Sequence, residues 1–265
     1  MDIKSYVKEQ KELLKEEISK LEVLPSFVII QVNDDPASNA YVKGKINDAN
    51  EVGIHVELRK FSPSISEEEL ISEVKKVNDD PSVHGLIVQM PLPKHINEEL
   101  IKLTVNPLKD IDGFHPMSLM SPCTPKGIID YLKHENFNFV GKNALIIGRS
   151  NIVGKPMAKL LLKEHCNTTM THSRTTREDM EFYVAHADII VIAIGKCAFL
   201  DDSFKFKPSA VIVDVGINRT EEGLRGDAKK DLPVALQTPV PGGVGLLTRL
   251  TLLKNLMEAY YHFSK

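Results

Sequence analysis

The sequence predicts an α/β protein in two domains, and three observations carry that expectation. Helical periodicity alternates with short apolar runs along both halves of the chain, the pattern of mostly parallel sheets covered by helices. The 265 residues exceed one small domain and fall short of three. Between residues 114 and 127 the apolar periodicity lapses and prolines cluster at Pro116, Pro122 and Pro125, which sets the domain boundary there.

Residues 3–21 place Val7, Leu14, Ile18 and Leu21 on one helical face. The run Phe27-Val28-Ile29-Ile30-Gln31-Val32 reads as a strand buried on both sides, broken at Asn33-Asp34-Asp35-Pro36. A second helix extends to about Val52 and stops at Gly53. Ile54, Val56 and Leu58 then alternate with His55, Glu57 and Arg59, a strand with one face in water. Ser66 and Glu69 form a capping box opening a third helix through Leu70, Val74 and Val77. Val83 to Gln89 is a further apolar strand, closed by Met90-Pro91-Leu92-Pro93. Thr124-Pro125 supplies the N-cap and first position of a linking helix over 125–135. Strands follow at 143–148, 167–171, 188–194 and 210–215, with helices near 154–164 and 176–186. The last helix, about 244–262, is apolar over much of its circumference through Leu246, Leu247, Leu250, Leu253, Leu256 and Met257. That suits a helix packed between domains.

Composition excludes several classes. Apolar residues make up 42% and charged residues 26%, with 15 Gly and 15 Pro, which rules out disorder, collagen and a disulfide scaffold. The net charge is −3 and no basic block appears, so no nucleic-acid partner is expected. Cys123, Cys166 and Cys197 form neither a CxxC pair nor a zinc spacing, as suits a reducing cytosol. The nine histidines include no HExxH or His-Cys cluster, so no catalytic metal is expected. The charged start MDIKSYVKEQKELLKEE lacks the apolar core of a signal peptide, and no apolar run reaches membrane-spanning length. A cytoplasmic protein without a membrane partner is expected.

In the second half, Ala144-Leu145-Ile146-Ile147-Gly148 runs into Arg149-Ser150-Asn151-Ile152-Val153-Gly154-Lys155-Pro156 and then a helix. A strand, a small-residue turn and a helix N-terminus bring free N–H groups and a positive dipole end together, which suits a phosphate. Five residues between the glycines, and Pro156 after Lys155, exclude a Walker A loop. The dinucleotide GxGxxG pattern is imperfect, since Ser150 replaces the second Gly and the third falls one position late. The segment is either a dinucleotide turn or a structural one. The next strand ends in Thr171-His172-Ser173-Arg174, without the acid that holds an unphosphorylated ribose. A hydroxyl and a guanidinium there, at Ser173 and Arg174, favour the 2′-phosphate of NADP over NAD; the alternative is a solvated arginine. Asp214-Val215-Gly216-Ile217-Asn218 ends a later strand at the same edge, either as a nicotinamide contact or as a turn.

In the first half, Tyr41 and Lys45 lie four residues apart on one helix face, about 100° round from the buried stripe of Val42, Ile46 and Ala49, and Ser38 lies one turn earlier. Such a pair can project into a cleft, or the lysine can simply cover a half-buried tyrosine. Gln89 sits at the C-terminal end of a strand, where open α/β sheets bind ligands. Asp110 and Asp112 alternate, pointing the same way if the chain is extended, though acids beside a Gly commonly form turns.

Seven runs, taken in order, resemble the bifunctional methylenetetrahydrofolate dehydrogenase/cyclohydrolase (FolD) family. They are Asp34-Asp35-Pro36-Ala37-Ser38 with Tyr41-Val42 and Lys45, Gly85-Leu86-Ile87-Val88-Gln89-Met90-Pro91-Leu92-Pro93, Lys109-Asp110-Ile111-Asp112-Gly113-Phe114-His115-Pro116, Pro122-Cys123-Thr124-Pro125, the Gly148 to Pro156 segment, Asp214-Val215-Gly216-Ile217-Asn218, and Thr238-Pro239-Val240-Pro241-Gly242-Gly243-Val244-Gly245. The resemblance implies a folate-binding catalytic domain over 1–121, joined by the C-terminal helix 244–265, and a Rossmann-type NADP-binding domain over 122–243, with a cleft between them. It implies oxidation of 5,10-methylenetetrahydrofolate to the methenyl cation with NADP, then hydrolysis to 10-formyltetrahydrofolate.

By the same resemblance Lys45 is the central acid/base group, Tyr41 stacks on the folate, Gln89 tunes Lys45, and Asp112 holds the pterin. Ser38, Pro241, Gly242 and Gly243 also contact substrate, while Gly148, Arg149, Ser150, Ser173, Arg174 and Ile217 contact the cofactor. A homodimer is implied too. Three departures stand out: a segment shortened to Met117–Ser121, with Ser118 where the family has an Asn; Asn33 for a usual Gly; and Leu246-Leu247 for a usual Pro-Met. The shortened segment leaves open a dehydrogenase without hydrolase activity. A catalytically silent NADP-binding module is the remaining alternative, and the retention of Lys45, Gln89 and Asp112 argues against it.

Overall fold

The computed structural model describes residues 2–221 and 223–263; Met1, Ser264 and Lys265, which the expected domain bounds include, and Glu222 lie outside the described residues. The chain forms two compact units, one of Lys8–Cys123 with Arg249–Lys265, the other of Met1–Val7 with Thr124–Thr248. The expected bounds instead keep residues 1–121 and the whole final helix together.

The first unit takes up most of α1 (Ile3–Ile18), then β1 (Ser26–Gln31), α2 (Pro36–Val52), β2 (His55–Lys60), α3 (Glu67–Asp79), β3 (Gly85–Val88) and α4 (Glu98–Thr104). Its strands form a parallel sheet in the order β2-β1-β3. Val28 and Ile30 of β1 and Leu86 and Val88 of β3 pack on Leu70, Val74 and Val77 of α3 and Ile101 of α4. Each such aliphatic side chain removed from water contributes about 1.5–3 kcal/mol. Gly53 ends α2 at φ 89°, where its N–H caps the helix. The capping box at Ser66 forms as its spacing requires.

Two details differ from the sequence reading. Strand β2 lies at the sheet edge, so Leu58 is 41% exposed and the expected alternation of wet and dry faces is lost. Helix α4 is too short to show a helical period; Asn97 caps it by accepting from the N–H groups of Glu99 and Leu100.

The second unit contains nearly all of α5 (Cys123–His134), followed by β4 (Asn143–Ile147), α6 (Gly154–Lys163), β5 (Asn167–Thr171), α7 (Arg177–His186), β6 (Ile189–Ile192), β7 (Val211–Asp214), the hairpin β8 (Asn218–Thr220) and β9 (Gly223–Arg225), and β10 (Leu236–Gln237). Helix α8 (Val244–Phe263) begins here and passes into the first unit at Arg249. Helix α5 starts at Cys123, two residues before the expected first position, so Thr124 lies inside the first turn. Its hydroxyl meets that of Thr248 at 2.9 Å.

Five strands form a parallel sheet in the order β10-β7-β6-β4-β5. Ile146, Val191 and Val213 face Ile128, Leu132, Met157 and Leu161, while Leu145, Ile147, Ile190 and Ile212 face Met180, Val184 and Leu200. Both faces are therefore covered, which is why the strands read as unbroken apolar runs. The strand order reverses between β4 and β6, the switch point where such sheets open a crevice at their carboxyl ends.

Candidate active site

In the first unit, Asp35 starts α2 by accepting the Ser38 N–H at 2.8 Å, with Pro36 in the first turn. This fixes the helical phase of Ser38, Tyr41 and Lys45. Lys45 is 4% exposed, not a surface cation. Its Nζ donates to Oε1 of Gln89 at 3.2 Å, lies 3.8 Å from Oδ1 of Asp112, and stands 5.4 Å from the centre of the Tyr41 ring. The structure thus gathers residues from α2, from the end of β3 and from the following loop around one lysine nitrogen. Burial pushes the Asp112 carboxyl above the usual carboxylate range, and Lys45 opposes that rise. Ser38 Oγ is buried and accepts or donates no hydrogen bond among the described residues.

The loop carrying Asp112 is heavily tied. Asp110 accepts from the N–H groups of Gly113 at 3.1 Å and His115 at 2.7 Å, so it shapes the turn, and its carboxyl is raised to about 6 by burial. Asp110 and Asp112 line the same small cavity but have different partners. Asn255 of α8 donates to the carbonyls of Ile111 at 2.9 Å and Ser121 at 3.1 Å. The short Met117–Ser121 segment is anchored where Ser118 Oγ donates to the Asp110 carbonyl at 3.2 Å and accepts from Met120 N–H at 3.2 Å. Asn255 escaped the sequence reading because it looks like any of the polar residues scattered along an otherwise apolar helix, with its target 144 positions away.

In the second unit a cavity of 620 Å³ opens at the carboxyl ends of β4, β5 and β6. Gly148, Arg149 and Ser173 line it, together with Arg177, Lys196 and Phe199, which the sequence did not single out. Gly148 has φ 119° and a Cβ there would stand 2.5 Å from the Ala193 carbonyl oxygen; at Gly154 a Cβ would overlap the Gly148 carbonyl. These two positions therefore need glycine. Ser150 Oγ accepts the N–H groups of Val153 at 3.1 Å and Gly154 at 3.3 Å, which opens α6 and leaves the hydroxyl hydrogen free to donate.

Arg174 and Ile217 are not among the residues lining this cavity. Ile217 is 58% exposed, because the chain has already turned toward the β8–β9 hairpin. The Arg174 N–H turns back onto His172 Nδ1 at 3.2 Å, as part of a tight turn. In the same unit Pro241 lines a separate 540 Å³ cavity; Gly242 has φ 92°, and at Gly243 a Cβ would overlap the Pro239 carbonyl oxygen.

Among the described residues no group of three or more His, Cys, Asp and Glu side chains is arranged to hold a metal ion, and no helix is long and apolar enough to cross a membrane.

The model of the tetrahydrofolate dehydrogenase/cyclohydrolase catalytic domain matches residues 1–112, and that of the NAD(P)-binding domain of the same enzymes matches 122–264. The bifunctional protein FolD of Streptococcus thermophilus is 45% identical over 276 aligned positions, covering 98% of this chain and 96% of the relative. The crystal structure of the FolD methylenetetrahydrofolate dehydrogenase/cyclohydrolase from Campylobacter jejuni superposes with a TM-score of 0.95 at 37% identity, covering 98% of each chain. The Trypanosoma brucei FolD enzyme, solved with NADP cofactor and an inhibitor, reaches a TM-score of 0.94 at 28% identity and covers 100% of this chain and 98% of that one.

Proposed function

Since the chain belongs to the tetrahydrofolate dehydrogenase/cyclohydrolase family, we propose that it oxidises 5,10-methylenetetrahydrofolate with NADP and hydrolyses the methenyl product to 10-formyltetrahydrofolate. The observation that carries this reading is the buried Lys45, held between Gln89 and Asp112 beside Tyr41.

The residues present fit a dinucleotide. Gly148 and Gly154 let the β4 turn pack closely against the β6 turn and the start of α6, which brings the helix N-terminus to the crevice, and Ser150, Arg149 and Ser173 offer donors around it. Bound NADP supplies the hydride acceptor. Arg149 and Ser173 are assigned to the 2′-phosphate, and Gly148 and Ser150 to the pyrophosphate; Arg174 and Ile217 are left to the outer parts of the cofactor.

On the folate side, Tyr41 offers a stacking face for a flat ring. Asp112 accepts pterin N–H groups, which selects that ring over one lacking them. Ser38 has an unused hydroxyl to offer the substrate, with Pro241, Gly242 and Gly243 as further contacts. In the hydrolytic step water adds to the methenyl carbon and the bond to the N5 nitrogen breaks. Lys45 Nζ is the group that takes one proton from the attacking water and delivers it to the leaving nitrogen. The second water proton leaves to solvent as the formyl carbonyl forms, and Gln89 holds the lysine in place. The reading carries with it a cytoplasmic homodimer that acts on tetrahydrofolate derivatives, with no nucleic-acid or membrane partner.

An assay with 5,10-methylenetetrahydrofolate and NADP, following NADPH and the methenyl species separately with NAD in parallel, tests this. NADPH formation with little methenyl species is expected. Methenyl accumulating to the uncatalysed level would restrict the enzyme to the dehydrogenase step, and no turnover with either cofactor would overturn the enzymatic reading.

A further inference from the structure

Asp227 is fully buried, at 0% exposure, in the second unit. Its Oδ2 accepts the N–H groups of Ile194 at 2.7 Å and Gly195 at 2.9 Å, the turn that follows β6. Its Oδ1 accepts from Asn218 Nδ2 at 2.9 Å. Three donors converge on one side chain, a demand that a carboxylate meets and a neutral amide in a fixed orientation does not.

A second buried acid holds Asp227 itself. Asp214, at the end of β7, accepts the backbone N–H groups of Asp227 at 3.0 Å, Ala228 at 2.8 Å and Gly216 at 2.9 Å. The Asp214 N–H in turn goes to Thr238 Oγ1 at 2.8 Å. A Cβ at Gly216 would overlap the Asp227 carboxylate, and one at Gly226 would overlap that of Asp214. The backbone on both sides is therefore shaped around these two carboxylates.

The turn they hold is a wall of the 620 Å³ cavity, to which Ala193, Ile194, Lys196 and Phe199 contribute. The Ala193 carbonyl also abuts Gly148, so the place of this turn sets the gap between the β4 and β6 turns at the switch point.

We propose that Asp227 is a positioning residue for dinucleotide binding, fixing the Ile194–Gly195 turn against the Gly148 turn so that the crevice is preformed. This rests on the dinucleotide reading above. It predicts that the clamp acts on cofactor affinity rather than only on stability, because a preformed wall spares the ligand the cost of ordering it.

The test is calorimetric titration of the full-length protein with NADP, with the KM for 5,10-methylenetetrahydrofolate and the Tm measured on the same samples. Wild type is titrated first: absence of NADP binding there would overturn the dinucleotide reading and this role with it. Asp227→Ala is expected to raise the Kd for NADP about tenfold, the loss typical of stranded N–H donors, while the folate KM stays unchanged. Asp227→Asn is expected to recover part of that loss, because its carbonyl oxygen can still receive the two turn N–H groups. Asn218→Ala leaves the core untouched and is expected to raise the Kd about threefold, so the proposal remains decidable even if Asp227→Ala does not fold. A lowered Tm with wild-type Kd in the folded variants would make Asp227 a structural residue only and overturn the proposal. A Kd and a folate KM that rise together would do the same.

Discussion

Gln89 gives its amide N–H to the Met90 carbonyl at 2.9 Å and receives Lys45 Nζ on Oε1 at 3.2 Å. The backbone, not the lysine, therefore fixes which end of the amide faces Lys45. On the other side Asp112 stands 3.8 Å away, so Lys45 is held between a neutral acceptor and a carboxylate. Lys45→Met keeps the packing volume and removes the proton carrier. Methenyl hydrolysis is expected to fall by about 10²- to 10⁴-fold, the usual contribution of a positioned acid/base group, with the Kd for NADP unchanged. Hydrolysis at the wild-type rate would remove Lys45 from the mechanism.

Asn255 reaches the carbonyls of Ile111 and Ser121, one on either side of Asp112 in the chain. Cys123 Sγ adds a weaker contact to the Ile111 carbonyl at 3.2 Å. Asn255→Leu removes the amide donors and is expected to lower the unfolding free energy by about 1–3 kcal/mol. Because the loop presents Asp112, the KM for the folate substrate should rise about tenfold while NADP affinity holds. A loss of stability with an unchanged folate KM would confine Asn255 to packing.

Gly154 begins α6 against the Gly148 carbonyl. Gly154→Ala has to push the helix away from the β4 turn, a strain of about 1–3 kcal/mol where the core is closely packed. Both the Tm and the affinity for NADP are expected to drop, since the same displacement moves the helix N-terminus. Calorimetry on the folded variant decides it, and wild-type affinity would mean that the α6 start takes no part in cofactor binding.

How much of this was legible in the sequence depended on the range of the interaction. Strands such as Ala144 to Ile147 announced themselves because both faces are covered, and Gly53 marked the end of α2 because a left-handed residue is needed there. Short-range chemistry, as in the capping box at Ser66, was equally open to reading, whereas Asp35 read only as part of a break and not as the cap of α2. The pairing of Tyr41 with Lys45 was visible as a helical spacing, but the spacing alone favoured a surface lysine covering the tyrosine; Gln89 and Asp112, brought in from elsewhere in the chain, are what make it a buried site. Arg177 and Lys196 reach the cavity through the placement of α7 and the β6 turn, which no local pattern encodes. Arg174 and Ile217 lie off the cavity lining because the chain turns within a residue or two of the strand end.

Asp110 offers a test in which the sign of a pH effect decides. Its folded carboxyl titrates at about 6, because burial outweighs the hydrogen bonds from His115 and Gly113 and the Asp112 charge adds to the rise. In the unfolded chain it titrates near 3.9. Between those values the folded state holds more protons than the unfolded one, so this group makes the fold more stable as the pH falls from about 6 to about 4. At neutral pH its buried charge instead costs about 3 kcal/mol relative to the acid range. Asp110→Asn has no proton to bind and lacks this slope. The unfolding free energy of wild type relative to the variant should therefore be higher at pH 4.5 than at pH 7. Subtracting the variant cancels the other titrating groups that the two share, apart from Asp112, whose charge acts on Asp110. A shift in favour of the variant on acidification would show that Asp110 remains ionised in the fold and that its bonds to Gly113 and His115 dominate over burial.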